Sequence, residues 1–268
     1  MRAFRRITAF VTACCLGLLL GAQAGCDGPR EDGPARMLET ARRAFLDSQY
    51  LRAETAYEHY LQAYPAGPDR LEAWRRLADI ALDFRESPDK AATLLEAAVL
   101  EFAGDPATVA DLLATAASLR FDRKAYARVA ADCRAVVDLA GAPDEARLEC
   151  HLLLARAELA QRNEAQAFAR YEACRRSDLS QAASARCALA QAELLLRLER
   201  ANDAEPLLQE LVAAASLAPA LRAQAGFALG QIKEASGDKA AAREVYKAVR
   251  PLHPNPLVVD KRLELLDN

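Results

Sequence analysis

A small residue recurs along this chain at intervals of 37 or 38 positions. Its six copies form one column: Ala53, Ala91, Val129, Ala167, Ala204 and Ala242. Four positions later stands a column of larger side chains and one cysteine: Tyr57, Leu95, Cys133, Tyr171, Leu208 and Tyr246. A second small column precedes the first: Ala41, Ala78, Ala117, Ala155, Ala192 and Gly230. A period of this length predicts a solenoid built from one repeated unit.

The composition and the two small columns together predict that each unit is a pair of helices. Ala, the best helix former, is abundant. Two helices joined by a short turn approach closely where both carry small side chains, and a larger residue one turn later fills the space beside the crossing. In the last unit Gly237 suits the left-handed end of one helix, and Asp238 suits the cap of the next. We expect Asn163-Glu164 and Asn202-Asp203 to occupy the equivalent turns, and an all-α chain overall.

The last unit also resembles a known family. Its Leu229-Gly230, Gly237-Asp238, Ala242, Tyr246 and Pro254 resemble the tetratricopeptide repeat, a helix-turn-helix unit, at that family's own spacing. The resemblance implies a right-handed α-solenoid of six TPR-like repeats over residues 35–254. Residues 255–268, with an amphipathic stretch from Leu257 to Leu266, are expected to form a C-terminal capping helix.

The first 25 residues have the layout of a secretory signal. Three arginines precede an apolar run from Ile7 to Leu20, which is shorter than the roughly 20 residues of a membrane span. The small residues that follow allow two cleavage sites. Ala22-Gln23-Ala24 fits an ordinary signal peptidase, whereas Ala24-Gly25-Cys26 resembles a bacterial lipobox.

The lipobox interpretation makes residues 1–25 a lipoprotein signal peptide, Cys26 the lipidated amino terminus and residues 26–34 a polar tether. Plain secretion remains the alternative. The long repeat period and the lipobox together resemble Gram-negative envelope lipoproteins of the outer-membrane assembly type and the Tol-Pal coordinator. This resemblance implies a lipid-anchored protein of the cell membrane or periplasm.

Several classes of function are not expected. A net charge of −3 and a pI near 5.8 provide no basic surplus for nucleic acid. His59, His151 and His253 lie in separate repeats without metal ligands at suitable spacing, and no nucleotide-binding or catalytic motif is present. We therefore expect no cofactor, no metal and no enzymatic activity.

The family resemblance implies that the first helix of each repeat lines a concave groove that binds proteins or peptides. The expected lining includes Leu38, Arg42, Phe45, Arg75, Asp79, Leu82, Ser118, Phe121, Leu152, Arg156, Leu159, Leu189, Glu193, Leu196, Phe227 and Gln231. Apolar anchors beside variable polar residues suit a binding groove. The alternative is that its leucines and phenylalanines belong to the core between repeats.

Two functions remain compatible with this reading. One is a membrane-tethered adaptor or scaffold that holds other envelope proteins. The other is a chaperone-like or secretion-accessory module that binds extended polypeptides.

The four cysteines after Cys26 suggest two disulfides in an exported chain. In a solenoid the second helix of one unit packs against the first helix of the next. This register pairs Cys133 with Cys150 and Cys174 with Cys187. The alternative is four reduced cysteines that act as small core residues.

Overall fold

The computed structural model describes residues 33–267, which contain thirteen α-helices and no strand. None of the helices in this range is long and apolar enough to cross a membrane. The predicted signal peptide and Cys26 lie outside the described residues. The chain divides into two compact units, Met1–Gly67 and Pro68–Asn268, and each is described by itself.

The first unit contains one helical hairpin, formed by α1 (Pro34–Leu46) and α2 (Tyr50–Ala63). Its core includes five fully buried residues: Leu38, Ala41, Ala53, Tyr57 and Tyr60. The two small residues, Ala41 and Ala53, come from the two columns that the sequence places at the helix crossing. The hairpin therefore follows the predicted pattern of small residues flanked by a large one.

The second unit contains five further hairpins and a final helix. The first hairpin is α3 (Arg70–Asp79), which continues as a π-helical turn (Ile80–Phe84), and α4 (Pro88–Glu101). The others follow as α5 (Pro106–Asp122), α6 (Tyr126–Val137), α7 (Asp144–Ala160), α8 (Glu164–Arg176), α9 (Gln181–Arg197), α10 (Ala201–Ala213), α11 (Pro219–Ala235), α12 (Lys239–Val249) and α13 (Pro256–Asp267).

Each helix of the second unit packs against the next along the chain. First helices also meet directly in the middle of the unit, where α5 packs beside α7 and α7 beside α9. This layered arrangement of hairpins confirms the predicted all-α solenoid. Helix α13 packs on the last hairpin, where Val259 and Leu266 join Ala242 and Tyr246 in one buried cluster.

The turn inside each hairpin repeats as regularly as the small columns. One residue per turn has a left-handed backbone with φ between 49° and 83°: Ser48, Glu86, Lys124, Arg162, Glu199 and Gly237. The backbone N–H that follows this residue donates to a carbonyl near the end of the preceding helix. For example, Ala125 N donates to Arg120 O at 2.9 Å. Only the last copy is glycine, although the left-handed region disfavours residues that carry a Cβ.

The predicted turns are correct in two places and wrong in one. Asp238 caps α12 by accepting from Ala241 N at 3.0 Å, and Asn163 directly precedes α8. Asn202-Asp203 instead lies within the first turn of α10. The actual turn lies at Glu199, because the left-handed residue and not the polar pair ends the preceding helix.

The two helices of the last hairpin approach each other closely. A Cβ built on Gly230 would lie 2.4 Å from Cε1 of Tyr246, and one on Gly226 would lie 2.1 Å from Cγ1 of Val249. Both positions are therefore occupied by the one residue without a side chain.

Candidate functional site

A cleft of about 570 Å³ opens between α3, α4 and α5 of the second unit. Its floor is apolar and consists of Ala78, Leu82, Ala91, Leu95, Leu112 and Leu119. Leu95 and Leu112 are almost fully buried, whereas Leu82 and Leu119 remain half-buried. Pockets of this size with apolar lining are the usual sites of ligand binding in proteins.

The rim of the cleft is charged. Arg75 from α3 and Asp111 from α5 meet across it, with Nη2 and Oδ2 2.8 Å apart. Arg76 bonds Asp79 within α3 at 3.2 Å. Both side chains of each pair are more than 40% exposed. Exposed ion pairs of this kind contribute less than about 1 kcal/mol, so an incoming ligand can replace them.

Glu101 of α4 holds the α3 wall in place. Arg70 Nη2 donates to Glu101 Oε2 at 2.7 Å, and Trp74 Nε1 donates to the same oxygen at 2.8 Å. The hydrogen bond from Arg70, supported by the one from Trp74, lowers the pKa of Glu101 against the opposing effect of burial. Trp74 therefore has a structural role between α3 and α4.

A buried ion network holds the α5 wall. Arg120 of α5 bonds Asp132 of α6, and its Nη2 lies 2.7 Å from Glu96 Oε1 of α4. The side chains of Arg120 and Asp132 are only 7% and 8% exposed. Burial raises the pKa of Asp132, and the hydrogen bond from Arg120 offsets part of that rise. Two sets of polar contacts thus fix the cleft walls before any ligand arrives.

A π-helical turn forms one end of the cleft. Arg85 N donates to Ile80 O at 3.0 Å, five residues back, and Ser87 N donates to Ala81 O at 2.8 Å. Leu82 lies in this turn and contributes to the floor. Single π turns inside helices often occur at functional sites. The amino-acid pattern contains no signal for this turn.

The structure brings three predicted groove residues, Arg75, Asp79 and Leu82, into the cleft. The remaining polar positions on first helices of the second unit are exposed: Ser118, Arg156, Glu193 and Gln231. Their neighbours Leu152, Leu159 and Leu196 are half-buried. The polar column therefore faces solvent along the first helices.

Two predicted groove leucines belong to the core instead. Leu38 has no exposed surface, and Leu189 is only 7% exposed within a cluster formed by α9, α10 and α11. Their side chains turn inward because the apolar stripe of an amphipathic helix faces its neighbours. The alternative interpretation as core between repeats is therefore correct for Leu189, whereas Leu38 is buried within the first unit.

The predicted groove aromatics are half-buried and engaged in local packing. Phe45 meets Tyr50 with ring centroids 5.8 Å apart in the first unit, where Arg42 is half-buried. The Arg156 guanidinium lies 4.8 Å from the centroid of the Phe121 ring. Within residues 33–267, no carboxylate forms an ion pair with Arg156.

In the last full hairpin, Phe227 packs against Tyr246 and His253 with centroids 5.6 Å and 5.4 Å away. Its ring therefore fills space between α11 and the segment before α13.

Both predicted cysteine pairs lie side by side. Cys174 and Cys187 have their sulfur atoms at bonding distance, with Cα atoms 6.0 Å apart. Cys133 and Cys150 are free thiols in hydrogen-bonding contact within one buried cluster. Formation of a disulfide between Cys133 and Cys150 stays a prediction.

The histidines do not converge on a site. His151 is 7% exposed, and its Nε2 has no hydrogen-bond partner among the described residues. Burial, followed by the nearby charges of Arg147 and Arg170, lowers its pKa. No group of three metal-binding side chains occurs in the part of the chain that the structure describes.

The chain is similar to several solved helical-repeat structures. A tetratricopeptide repeat protein from Parabacteroides merdae is 16% identical, covering 88% of this chain and 99% of that one with a TM-score of 0.41. TPR-like repeats of a putative kinesin light chain from Podosopora anserina are 20% identical, covering 82% and 95% with a TM-score of 0.34. No family model and no curated protein matches the sequence.

Proposed function

We propose that this protein is an adaptor or scaffold that binds a segment of a partner polypeptide in the cleft between α3 and α5. The observation that carries the proposal is the apolar floor left open between two first helices, whose walls are already fixed. A preformed apolar cleft with an exchangeable polar rim suits the anchor side chains of a protein partner. The exposed polar column from Ser118 to Gln231 extends the surface on which the partner would lie.

A binding function also fits the chemistry of the described residues. Many of their charged side chains form ion pairs between helices, and the groups with raised pKa values include Asp132 and Tyr246, which are buried in structural contacts. The proposal therefore assigns the protein to binding and not to catalysis.

The test is to fill the cleft without changing the fold. Thr115 lies at the cleft and is exposed, and its hydroxyl donates to Asp111 O at 2.8 Å. Thr93 on α4 is an exposed threonine with the same type of bond, to Asp89 O at 2.9 Å, but it does not line the cleft. We expect Thr115→Trp to abolish recovery of partners crosslinked in the cell and Thr93→Trp to leave it unchanged.

Equal recovery of the same partners by both tryptophan variants would rule out the cleft as the binding site. Far-UV circular dichroism and melting of both variants serve as the control for folding.

We further propose that Cys26 is lipidated and that the adaptor acts at the bacterial cell envelope. The support is the sequence itself, in which an arginine-rich start, an apolar run and Gly25-Cys26 precede a polar tether. Cys26→Ala should move the protein from the membrane to the soluble fraction. A soluble wild-type protein beginning at Gly25 would instead support cleavage at Ala22-Gln23-Ala24.

A further inference from the structure

One ion pair bridges the two walls of the cleft. Arg75 of α3 and Asp111 of α5 both line the cleft, and the Nη2 and Oδ2 atoms of the two side chains are 2.8 Å apart. These side chains are 48% and 58% exposed, whereas Leu95 and Leu112 of the floor are only 4% and 1% exposed. The ion pair therefore forms the outer layer of the cleft, on the solvent side of the apolar floor.

The pair can separate without movement of the helices. Glu101 and Glu96, both on α4, hold the α3 and α5 walls through contacts of their own. Within residues 33–267, neither Arg75 nor Asp111 forms a second ion pair. Separation therefore needs only the rotation of two exposed side chains, which takes picoseconds to nanoseconds.

We propose that the ion pair between Arg75 and Asp111 is a latch across the cleft, which restricts access to the apolar floor until a partner side chain enters. This inference rests on the proposed function of the cleft. When no partner is bound, the paired arrangement gives each charged group its ionic contact. An entering apolar side chain is buried against Leu82 and Leu119, and this burial offsets the loss of one exposed ion pair.

The strength of the latch determines the size of its effect. An exposed ion pair favours the paired arrangement by about fivefold at most. A ligand that binds only the open arrangement has an apparent Kd that is raised in proportion as the open fraction falls. We therefore expect loss of the latch to tighten the Kd by about twofold to fivefold. Because the pair is already separated in the bound state, the gain should appear in the association rate and leave the dissociation rate unchanged.

The probe is Nile red, a neutral apolar dye whose fluorescence increases in apolar surroundings, titrated into the full chain. Arg75→Gln/Asp111→Asn removes the latch without changing the net charge, so the dye should bind about twofold to fivefold more tightly. The exchanged pair Arg75→Asp/Asp111→Arg restores the ionic contact and should return the Kd to the wild-type value. The difference in Kd between the wild type and Arg75→Gln/Asp111→Asn should shrink as NaCl is added, because salt screens an exposed pair.

The matched control is an exposed ion pair between two other first helices. Arg186 Nη2 of α9 and Glu149 Oε1 of α7 are 2.8 Å apart, and neither residue lines the cleft. Arg186→Gln/Glu149→Gln should leave the Kd of the dye unchanged. An equal gain in both double variants would show a general loosening of the helices and overturn the inference. Circular dichroism and thermal melting check that each variant is folded.

The outcomes separate this inference from the proposed function. Dye binding that is blocked by Thr115→Trp, yet has the same Kd in the wild type and Arg75→Gln/Asp111→Asn, would overturn the latch and keep the cleft as the binding site. Weaker binding in that double variant, or a change confined to the dissociation rate, would show direct contact with the ligand and also contradict the latch. Dye binding that is insensitive to Thr115→Trp, or no dye binding, would overturn both.

Discussion

Replacing Gly230 by alanine tests the close helix approach on which the repeat depends. In an ordinary helix interior this change stabilises by roughly 0.5–1 kcal/mol, since alanine has the higher helix propensity. Here the new Cβ would lie 2.4, 2.7 and 2.8 Å from three atoms of the Tyr246 ring. The ring is fully buried, its hydroxyl donates to Glu234 Oε2 at 2.8 Å, and Phe227 packs beside it.

The ring must therefore move by about an ångström against neighbours that hold it. Overpacking of this kind usually costs about 1–3 kcal/mol. After the gain in helix propensity is subtracted, we expect Gly230→Ala to destabilise by up to about 2.5 kcal/mol, with a middle value of roughly 1 kcal/mol. In a chain of this size, a loss of about 1 kcal/mol lowers Tm by about 2–4 °C.

The assay is thermal unfolding followed by circular dichroism, repeated in a Tyr246→Leu background. With the ring removed, Gly230→Ala should become neutral or stabilising. An increase of Tm for the single Gly230→Ala variant would refute the close packing of α11 and α12 as described.

Three further predictions concern the turns, the α3 wall and the cysteines. Lys124→Gly should stabilise by about 1 kcal/mol in thermal unfolding, because its left-handed backbone suits glycine, whereas Lys124→Ala should bring no gain. Because Arg70 lowers the pKa of Glu101, ionised Glu101 stabilises the folded protein above pH 4.5, its ordinary pKa. This stabilisation is lost as the pH falls through the lower pKa that Glu101 has in the folded protein. In the Glu101→Gln variant, the free energy of unfolding should therefore decrease less steeply with falling pH than in the wild type. The same dependence on acidic pH in both proteins would contradict this. Non-reducing peptide mapping of protein from an oxidising compartment should recover two pairs and no crossed peptide: Cys133 with Cys150 and Cys174 with Cys187.

The fold could be predicted because its main constraint is one-dimensional. Small residues such as Ala53 and Ala242 recur in register, and helix crossings demand them wherever two backbones approach. The period therefore predicts the hairpin, the order in which hairpins stack and which cysteines lie side by side. Capping at Asp238 follows from local chemistry alone.

The site could be predicted only in part. The family resemblance places Arg75 and Asp79 in a groove, but which leucines face solvent depends on how far adjacent helices separate. Leu189 is covered by α10 and α11, whereas Leu82 is left accessible beside the π-helical turn. The buried network of Arg120 also involves residues from three helices, and no local pattern links them. Non-glycine residues at left-handed turns, such as Glu199, hide the turn from sequence analysis as well.

The most direct test of the proposed cleft is site-specific photo-crosslinking in the cell. A photoreactive side chain is introduced at Thr115 in the cleft and, as the matched position, at Thr93 on the outer part of α4. Mass spectrometry then identifies the crosslinked peptide and its residue of attachment. The account predicts one recurring partner segment with apolar side chains at Thr115, and none at Thr93. Identical crosslinks at both positions, or a partner segment only at Thr93, would contradict it.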